Sequence, residues 1–89
     1  MAEGPQRRMQ KKSGITWDRE VDARGLICPL PVLRARKHLS QMEQGAVLRL
    51  LADDPVAVVD VPHFCAEAGH DFLCMEEAEG AQSYLIRRG

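Results

Sequence analysis

Apolar residues along the chain recur with two different periods, and each change of period marks a predicted element. Over residues 29–44 they recur at a spacing of three or four, at Val32, Ala35, Leu39 and Met42. This spacing predicts an amphipathic helix. Pro29 suits the first helical position, where its missing N–H is no loss, and Gly45 suits the position just past the end.

Four short apolar segments bounded by turn residues are predicted to be β-strands: Glu20–Ala23, Ala46–Ala52, His70–Glu76 and Gln82–Arg87. The segment Glu77–Gly80 between the last two ends in glycine, which indicates a hairpin loop of four residues. Regular alternation along the third strand places Phe72, Cys74 and Glu76 on one face.

A second helix is predicted between the second and third strands. Asp54 suits its N-cap and Pro55 its first position. Helical spacing continues to Ala68, and Gly69 suits the position that ends the helix.

Pro62 falls inside this second helical segment. Because proline lacks the N–H that a helix interior needs, we expect the helix to break. The expectation is a first turn at Pro55–Val59, followed by a fresh start capped by Asp60.

The element order β-α-β-α-β-β predicts an α/β (α+β) domain over residues 15–89. Two helices and four short strands are expected to form a two-layer sandwich, in which a four-stranded mixed sheet carries both helices on one face. The β-α-β crossovers are expected to be right-handed.

Residues 1–14 form a separate basic segment. It contains one acidic side chain, Glu3, and four basic ones, Arg7, Arg8, Lys11 and Lys12. With two glycines and a proline, this composition predicts a disordered tail. An alternative is an arm that touches RNA or an acidic partner, although no aromatic residue is interleaved with the charges.

Composition narrows the class of protein. A chain of 89 residues, 45% of them hydrophobic, holds one domain with a modest core. The net charge of -1 argues against a strongly basic nucleic-acid binder, so direct binding of nucleic acid is not expected. No segment supplies the roughly 20 continuous apolar residues of a membrane span, and no signal peptide is evident. We therefore expect a cytoplasmic protein without membrane association.

The cysteine pattern excludes several classes of site. There are three cysteines, and no two of them form a C-x-x-C pair. An odd count without such pairs argues against a disulfide-stapled secreted protein, a zinc ribbon and a thioredoxin-type motif. Three separate, reduced thiols remain.

Cys28 is the thiol with a candidate chemical role. As N-cap of the first helix it would lie at the positive end of the helix dipole, which favours the thiolate. Because Pro29 and Pro31 have no N–H, the Leu30 N–H is the main donor left for the sulfur, and Arg24 is a candidate source of positive charge. A thiolate so placed is a nucleophile or sulfur carrier. The alternative is a small buried hydrophobe.

The residues around Cys28 resemble a known family signature. Residues 22–31 resemble the D-x-x-G-L-x-C-P-x-P motif of the TusA/SirA family of sulfur-carrier proteins, reading Asp22-Ala23-Arg24-Gly25-Leu26-Ile27-Cys28-Pro29-Leu30-Pro31. The similarity continues through Ala52-Asp53-Asp54-Pro55, Asp60-Val61-Pro62, Phe64-Cys65 and residues 84–89. It covers residues 19–89, which is everything except the tail.

The resemblance implies a function for Cys28. It implies that Cys28 accepts sulfane sulfur from a donor's persulfide, becomes a persulfide itself and passes the sulfur on, without an organic cofactor. It also implies the two-layer fold expected above. The residues that support Cys28 in the motif are Asp22, Arg24, Gly25, Pro29, Leu30 and Pro31.

The resemblance also implies protein partners. The donor is expected to be a cysteine desulfurase or a rhodanese-like protein, and the acceptor a DsrE-like protein of a sulfur relay. The sulfur would serve tRNA 2-thiouridine synthesis, molybdenum-cofactor supply or sulfur oxidation. Leu30 occupies a position where some members of the tRNA branch carry an acidic residue. The resemblance therefore does not extend to contacts of that branch that need this acidic residue.

Charged residues near the motif are candidates for partner docking. Arg34 and Lys37 lie on the first helix and would meet an acidic patch, whereas Asp53 and Asp54 would meet a basic one. The alternative is an ordinary solvated surface for the basic pair and a helix cap for Asp54.

The remaining cysteines and histidines suggest no second site. Cys65 is predicted to be core, and Cys74 is either an inert strand thiol or a resolving thiol for Cys28. No metal site is expected, because the spacing fits no usual ligand pairing among His63, Cys65, His70 and Cys74. His38 is ten residues beyond Cys28, about 15 Å along a helix, which is too far for a base.

Two functions of other classes stay open. One is a redox-sensing or regulatory domain in which Cys28 is oxidised or pairs with Cys74. The other is an RNA-binding module, because the layer order resembles the C-terminal domain of a bacterial translation initiation factor. The near-zero charge and the four aromatic residues count against RNA binding.

Overall fold

The computed structural model of the chain describes residues 15–78 and 80–89, so the predicted basic tail lies outside the described residues. The described part contains two helices and four strands in the predicted order. Their bounds are β1 Arg19–Asp22, α1 Leu30–Ser40, β2 Val47–Ala52, α2 Ala57–Ala68, β3 Asp71–Ala78 and β4 Ala81–Arg87.

The four strands form one mixed sheet in the spatial order β1-β2-β4-β3. β1 runs parallel to β2, with Val21 opposite Leu50, and β4 runs antiparallel to β2, with Tyr84 opposite Leu50. Because β1 and β2 are parallel, their C-terminal ends lie at the same edge of the sheet. The connections that leave these two strands toward α1 and α2 therefore start side by side.

The hydrophobic core lies between one face of the sheet and the two helices. Alternate residues of the central strands supply the sheet side of the core: Leu48, Leu50, Tyr84 and Ile86. The helices bury Ala35, Leu39, Ala57, Val61, Phe64 and Cys65 against them. The predicted α+β sandwich is therefore confirmed.

Helix α1 is shorter than predicted at both ends. It begins at Leu30 rather than Pro29 and ends at Ser40 rather than Gln44. The Met42 N–H donates to the Leu39 carbonyl in a turn, at 3.1 Å, and the Met42 side chain still packs against the core. The helical spacing of apolar residues thus extends past the end of α1, because the turn that follows the helix also places Met42 against the core.

Helix α2 is continuous, so the predicted break at Pro62 was wrong. It begins at Ala57 with Val56 as N-cap and passes through Pro62 to its end. Pro62 supplies no N–H for a helical bond, a loss that usually kinks or ends a helix. Burial of one face of α2 in the core on both sides of Pro62, at Val61 and Phe64, accounts for the continuity.

A β-bulge changes the faces of β3. The register shifts between Phe72 and Cys74, so that Phe72 pairs with Ile86 and Met75 with Tyr84. The predicted sharing of one face by Phe72 and Cys74 was wrong, because an extra residue in a bulge reverses the alternation beyond it.

Strand β3 is also longer than predicted. It runs to Ala78, which pairs with Ala81 of β4, and so takes up the first two residues of the segment predicted as a loop. Strand β1, at Arg19–Asp22, lies one residue before its predicted bounds.

The second face of the sheet carries polar side chains and Trp17. The Arg49 guanidinium lies 4.7 Å from the centre of the Trp17 ring and donates to Ser83 Oγ at 2.9 Å. Cys74 belongs to this face, opposite Leu85 of β4. In the described ranges neither α1 nor α2, of 11 and 12 residues, is long enough to cross a membrane.

Candidate functional site at Cys28

The connection between β1 and α1 places Cys28 beside the start of α2. The Ala23 N–H extends the pairing of β1 with β2 by donating to the Leu51 carbonyl at 2.8 Å. Beyond this bond the chain turns away from the sheet and carries Cys28, which is exposed. The adjoining connection from β2 to α2 brings Asp53 and Asp54 to the same edge of the sheet.

Gly25 and Asp53 hold the first part of the Cys28 loop. Gly25 has a φ of 84°, a left-handed conformation that L side chains rarely adopt. Its N–H donates to Asp53 Oδ1 at 3.0 Å, which joins the two connections. Asp53 was predicted as a docking residue, and the structure shows that it binds the backbone of the loop.

The Arg24 guanidinium binds the Asp22 carboxylate and not Cys28. Its Nε and Nη2 atoms donate to the two carboxylate oxygens of Asp22, both at 2.9 Å. This pairing lowers the pKa of Asp22 to about 2. The expectation that Arg24 lends positive charge to Cys28 was wrong, because the charges that act on the thiol are carboxylates.

Asp54 fixes the backbone of Cys28. Its Oδ2 atom accepts the Cys28 N–H at 2.6 Å, and its Oδ1 atom accepts the Val56 N–H at 3.1 Å. The predicted role of Asp54 as N-cap of α2 was wrong, since Val56 is the residue in that position. Asp54 instead connects the start of α2 to the Cys28 loop.

Asp60 is the side chain in contact with the Cys28 sulfur. The thiol donates to Asp60 Oδ2, with Sγ and Oδ2 2.6 Å apart. The sequence indicated Asp60 as the cap of a fresh helical start and as part of the block Asp60-Val61-Pro62 that resembles the family, but not as a partner of Cys28. Because α2 is continuous, Asp60 lies inside the helix and its carboxylate is turned to Cys28.

These carboxylates raise the pKa of the Cys28 thiol above its ordinary value. The hydrogen bond to Asp60 is the largest cause, followed by desolvation and by the charges of Asp60 and Asp54. Each of these favours the thiol over the thiolate. The positive helix end that was expected to favour the thiolate is therefore opposed by these carboxylates.

Pro29, Leu30 and Pro31 begin α1, but not in the positions predicted. Pro29 is the N-cap, so Cys28 lies one residue before it, and the peptide bond between the two is cis. The Leu30 N–H donates to the Ile27 carbonyl at 2.8 Å. The prediction that this N–H is available to the Cys28 sulfur was therefore wrong. Pro31 is buried and anchors the first turn of α1 in the core.

Exposed apolar side chains adjoin Cys28 and Asp60 along the chain. Ile27 is 70% exposed and directly precedes Cys28, and Val59 is 68% exposed and directly precedes Asp60. Further large apolar side chains are exposed on the adjoining turns, at Leu30, Leu33 and Val56. Ile27 and Val59, together with these three, are called the apolar rim below.

The exposed side of α1 continues the apolar rim into a basic groove. The groove has a volume of about 380 Å³ and is lined by Leu30, Leu33, Arg34, Lys37 and His38. The structure thus places the two predicted basic docking residues, Arg34 and Lys37, on the helix that begins beside Cys28.

Comparison with known proteins identifies the family. The family model described as "Sulfurtransferase TusA" matches residues 19–88. The chain belongs to the TusA family. A "Sulfur carrier protein TusA" of Pseudomonas entomophila is 41% identical over 74 residues, which cover 83% of this chain and 92% of that protein.

Two further relatives agree with this family. A "Sulfur carrier protein TusA" of Allochromatium vinosum is 42% identical over 72 residues, covering 81% of this chain and 95% of that protein. A crystal structure of a SirA-like protein from Desulfitobacterium hafniense superposes with a TM-score of 0.72 at 29% identity, covering 81% of this chain and 99% of that one. The fold is therefore that of a TusA-family protein, and the family supports a sulfur-transfer role.

The other two cysteines of this TusA-family chain lie elsewhere. Cys65 is 1% exposed in the core, as predicted, and burial raises the pKa of its thiol to about 11. Cys74 is half-buried on the face of the sheet opposite the helices. Cys74 thus lies on β3, at the opposite edge of the sheet from β1, and the geometry does not support Cys74 as the resolving thiol for Cys28.

The remaining candidate ligands form no group around Cys28. Across residues 15–78 and 80–89, no three side chains of histidine, cysteine, aspartate or glutamate are placed to hold a metal ion together. His38 lies in the last turn of α1, where its Nδ1 atom accepts from Arg19 Nη1 at 3.3 Å.

Proposed function

We propose that this TusA-family protein is a sulfur carrier that holds sulfane sulfur as a persulfide on Cys28 Sγ and passes it to an acceptor protein. The observation that carries the proposal is the exposure of Cys28 within the apolar rim. A carrier needs a sulfur atom that a second protein can reach, and Cys65 is buried.

The loading step exchanges one bond for another. The Cys28 sulfur attacks the outer sulfur of a donor persulfide, and a new S–S bond forms to Cys28 Sγ. The S–S bond of the donor breaks and leaves its electron pair on the donor's cysteine sulfur. The proton lost by Cys28 is regained on that sulfur, so donor persulfide and carrier thiol become donor thiol and carrier persulfide.

Unloading reverses these roles at the same sulfur. A thiolate of the acceptor protein attacks the outer sulfur of the Cys28 persulfide, and Cys28 is the leaving group. No organic cofactor enters either step. The carboxylates near Cys28 hold the loop through its backbone N–H groups, which keeps the sulfur in place during both exchanges.

The proposed partners follow from this chemistry. The donor is a protein that forms a persulfide on its own cysteine, such as a cysteine desulfurase or a rhodanese-like protein. The acceptor is a relay protein with a reactive cysteine, such as a DsrE-like protein. The sulfur then serves tRNA 2-thiouridine synthesis, molybdenum-cofactor supply or sulfur oxidation, and the cytoplasm, where thiols stay reduced, is the expected compartment.

The groove beside Cys28 is the proposed docking surface. Leu30 and Leu33 offer apolar contact, and Arg34 and Lys37 offer positive charge next to them. This combination suits a partner surface with an apolar centre and an acidic rim. Asp53 and Asp54 bind the Cys28 loop, so their part in docking is to hold the loop that the partner contacts.

Intact-mass measurement tests the proposal. The reduced protein is incubated with a cysteine desulfurase and cysteine, and its mass is then recorded before and after dithiothreitol. We expect the wild-type protein to gain one sulfur atom that dithiothreitol removes. Cys28→Ser should gain none, and Cys74→Ser, the matched control, should load like the wild type.

Two results would contradict the proposal. One is equal loading of Cys28→Ser and wild type, which would place the sulfur on another thiol. The other is failure of the wild type to gain sulfur from any protein persulfide. The redox-sensing alternative gains no support from the structure, since a raised thiol pKa slows oxidation and Cys74 lies across the sheet.

A further inference from the structure

The loading step removes a proton from the Cys28 thiol, and one side chain is placed to accept it. The thiol donates its hydrogen to Asp60 Oδ2, at a sulfur-to-oxygen distance of 2.6 Å. We propose that Asp60 is a catalytic residue, the general base that takes the Cys28 proton as Cys28 attacks a donor persulfide. This inference rests on the proposed function of Cys28 as the persulfide site.

Other groups near Cys28 are less suited to the task. Both oxygens of Asp54 accept backbone N–H groups, of Cys28 and Val56. Asp22 is occupied by Arg24. Asp60 is thus the carboxylate that combines contact with the sulfur and a position on a rigid helix.

In the free carrier, the carboxylates beside Cys28 favour its protonated form. The charges of Asp60 and Asp54 and the hydrogen bond to Asp60 all favour the thiol, and they raise the pKa of Cys28. A protonated sulfur is a poor nucleophile, because the thiolate is the reactive form. Exposed Cys28 is thereby less reactive toward small electrophiles and oxidants while no partner is bound.

Docking of a partner changes the surroundings of the pair. Ile27 and Val59 are strongly exposed and lie next in sequence to Cys28 and Asp60, so a partner that packs on both covers the pair. Water is then excluded, so bulk solvent no longer competes for the Cys28 proton. Asp60 becomes the base within hydrogen-bond distance at the moment when the donor sulfur arrives.

The step balances without another reactant. The Cys28 proton moves from Sγ to Asp60 Oδ2 while the new S–S bond forms to the outer donor sulfur. The donor's S–S bond breaks, and its cysteine sulfur leaves with the electron pair. Asp60 returns the proton to that sulfur, and its carboxylate is restored for the next transfer.

Asp60→Asn tests the role with two measurements on one protein. The first is the rate of Cys28 alkylation by iodoacetamide as a function of pH. The second is the single-turnover rate of sulfur transfer from a persulfidated cysteine desulfurase at saturating concentration. Glu67→Gln is the matched control, since it removes an exposed carboxylate from the same helix, seven residues further on.

We expect the two rates of Asp60→Asn to change in opposite directions. Alkylation at pH 7 becomes faster, because the amide no longer favours the thiol. Sulfur transfer becomes at least about tenfold slower, because a general base contributes roughly 10²–10⁴-fold. The transfer defect should shrink as the pH rises, since solvent then removes the proton in both proteins, and Glu67→Gln should match wild type in both rates.

Each other result would overturn the role of Asp60 as base. If both rates rise, the carboxylate only suppresses the thiolate. If both fall, Asp60 only positions the loop, and if neither changes it has no part in the step. Continued protection of Cys65 from alkylation shows that the variant is folded, and failure of the wild type to load at all would overturn the proposed function itself.

Discussion

Three aspartates near Cys28 bind different groups. Asp53 accepts a hydrogen bond from the Gly25 N–H, and Asp54 accepts one from the Cys28 N–H. Asp60 accepts a hydrogen bond from the Cys28 thiol. Cys28 itself could be predicted, because its motif is local. The bond to Asp60 could not, since the two residues are 32 positions apart and only the fold brings them together.

The local sequence patterns around Asp54 and Asp60 predicted helix caps rather than contacts with Cys28. An aspartate before a helix is most often a cap, because its oxygen satisfies a free N–H of the first turn. One oxygen of Asp54 does bind a backbone N–H at the start of α2, that of the N-cap Val56, but the other oxygen binds the Cys28 N–H. Sequence patterns describe the first bond and carry no information about the second.

Asp54→Asn should make Cys28 more reactive and the fold slightly less stable. The Asp54 charge raises the pKa of Cys28, so a neutral residue lowers that pKa and increases the thiolate fraction at pH 7. The iodoacetamide rate should therefore rise at pH 7 and equal that of the wild type at alkaline pH, where both thiols are ionised. One oxygen cannot keep both hydrogen bonds of Asp54, so urea unfolding should show a loss of about 1 kcal/mol.

An unchanged alkylation profile in Asp54→Asn would contradict the electrostatic account of the thiol. Asp71→Asn is a suitable control, because Asp71 pairs with Arg87 at the opposite end of the sheet strands. Its alkylation profile should coincide with that of the wild type.

Among the elements, those with clear start and stop residues were predicted most accurately. Gly69 ends α2 in a left-handed conformation, with φ of 82°, as its position indicated. The errors arose where tertiary packing outweighs local preference. Core contacts of Val61 and Phe64 keep α2 continuous at Pro62, and the bulge in β3 lets Phe72 and Met75 share a face.

The connection from β1 to α1 depends on Gly25 more than its local pattern shows. Its positive φ produces the turn, and its N–H joins the loop to Asp53. The sequence alone does not indicate this bond, because Asp53 is 28 residues away.

The variants Gly25→Ala and Gly69→Ala form a matched pair that tests the role of the Cys28 loop. Both glycines have φ near 80°, and an added Cβ would meet no atom within 4 Å at either position. Each alanine should therefore cost about 1 kcal/mol of unfolding free energy through backbone strain alone. Only Gly25→Ala should slow sulfur loading from a persulfide donor, because only that turn carries Cys28.

Thermal or urea unfolding measures the first effect, and intact mass against time measures the second. If Gly69→Ala slowed loading as much as Gly25→Ala, loading would depend on global stability rather than on the loop.

Over the whole molecule, the order of strands determines which residues meet. Because β1 and β2 are parallel neighbours, the connections to α1 and α2 emerge together and bring Cys28 to Asp54 and Asp60. The element order predicted this sandwich. It did not predict the apolar rim, because the exposure of Ile27 and Val59 depends on how the two helices pack.

The basic groove on α1 leads to a prediction about partner binding. The double variant Arg34→Gln, Lys37→Gln should associate more slowly with an acidic sulfur donor, because it lacks the charge that attracts the partner. The effect should be large at low salt and small at high salt, as seen by surface plasmon resonance or stopped flow.

Arg87→Gln is the control for this measurement, since Arg87 is an exposed base at the end of β4 away from Cys28. Equal loss of association rate in Arg87→Gln would show that net charge, and not the groove, attracts the partner.

The central claim is that Cys28 carries the sulfur, and peptide mapping tests it most directly. Trypsin places Cys28 alone on the peptide Gly25–Arg34 and both other cysteines on the peptide Leu50–Arg87. The wild-type protein is loaded by a cysteine desulfurase, capped with iodoacetamide, digested and analysed by mass spectrometry. The account predicts one extra sulfur on Gly25–Arg34 and none on Leu50–Arg87, and an extra sulfur found only on Leu50–Arg87 would contradict it.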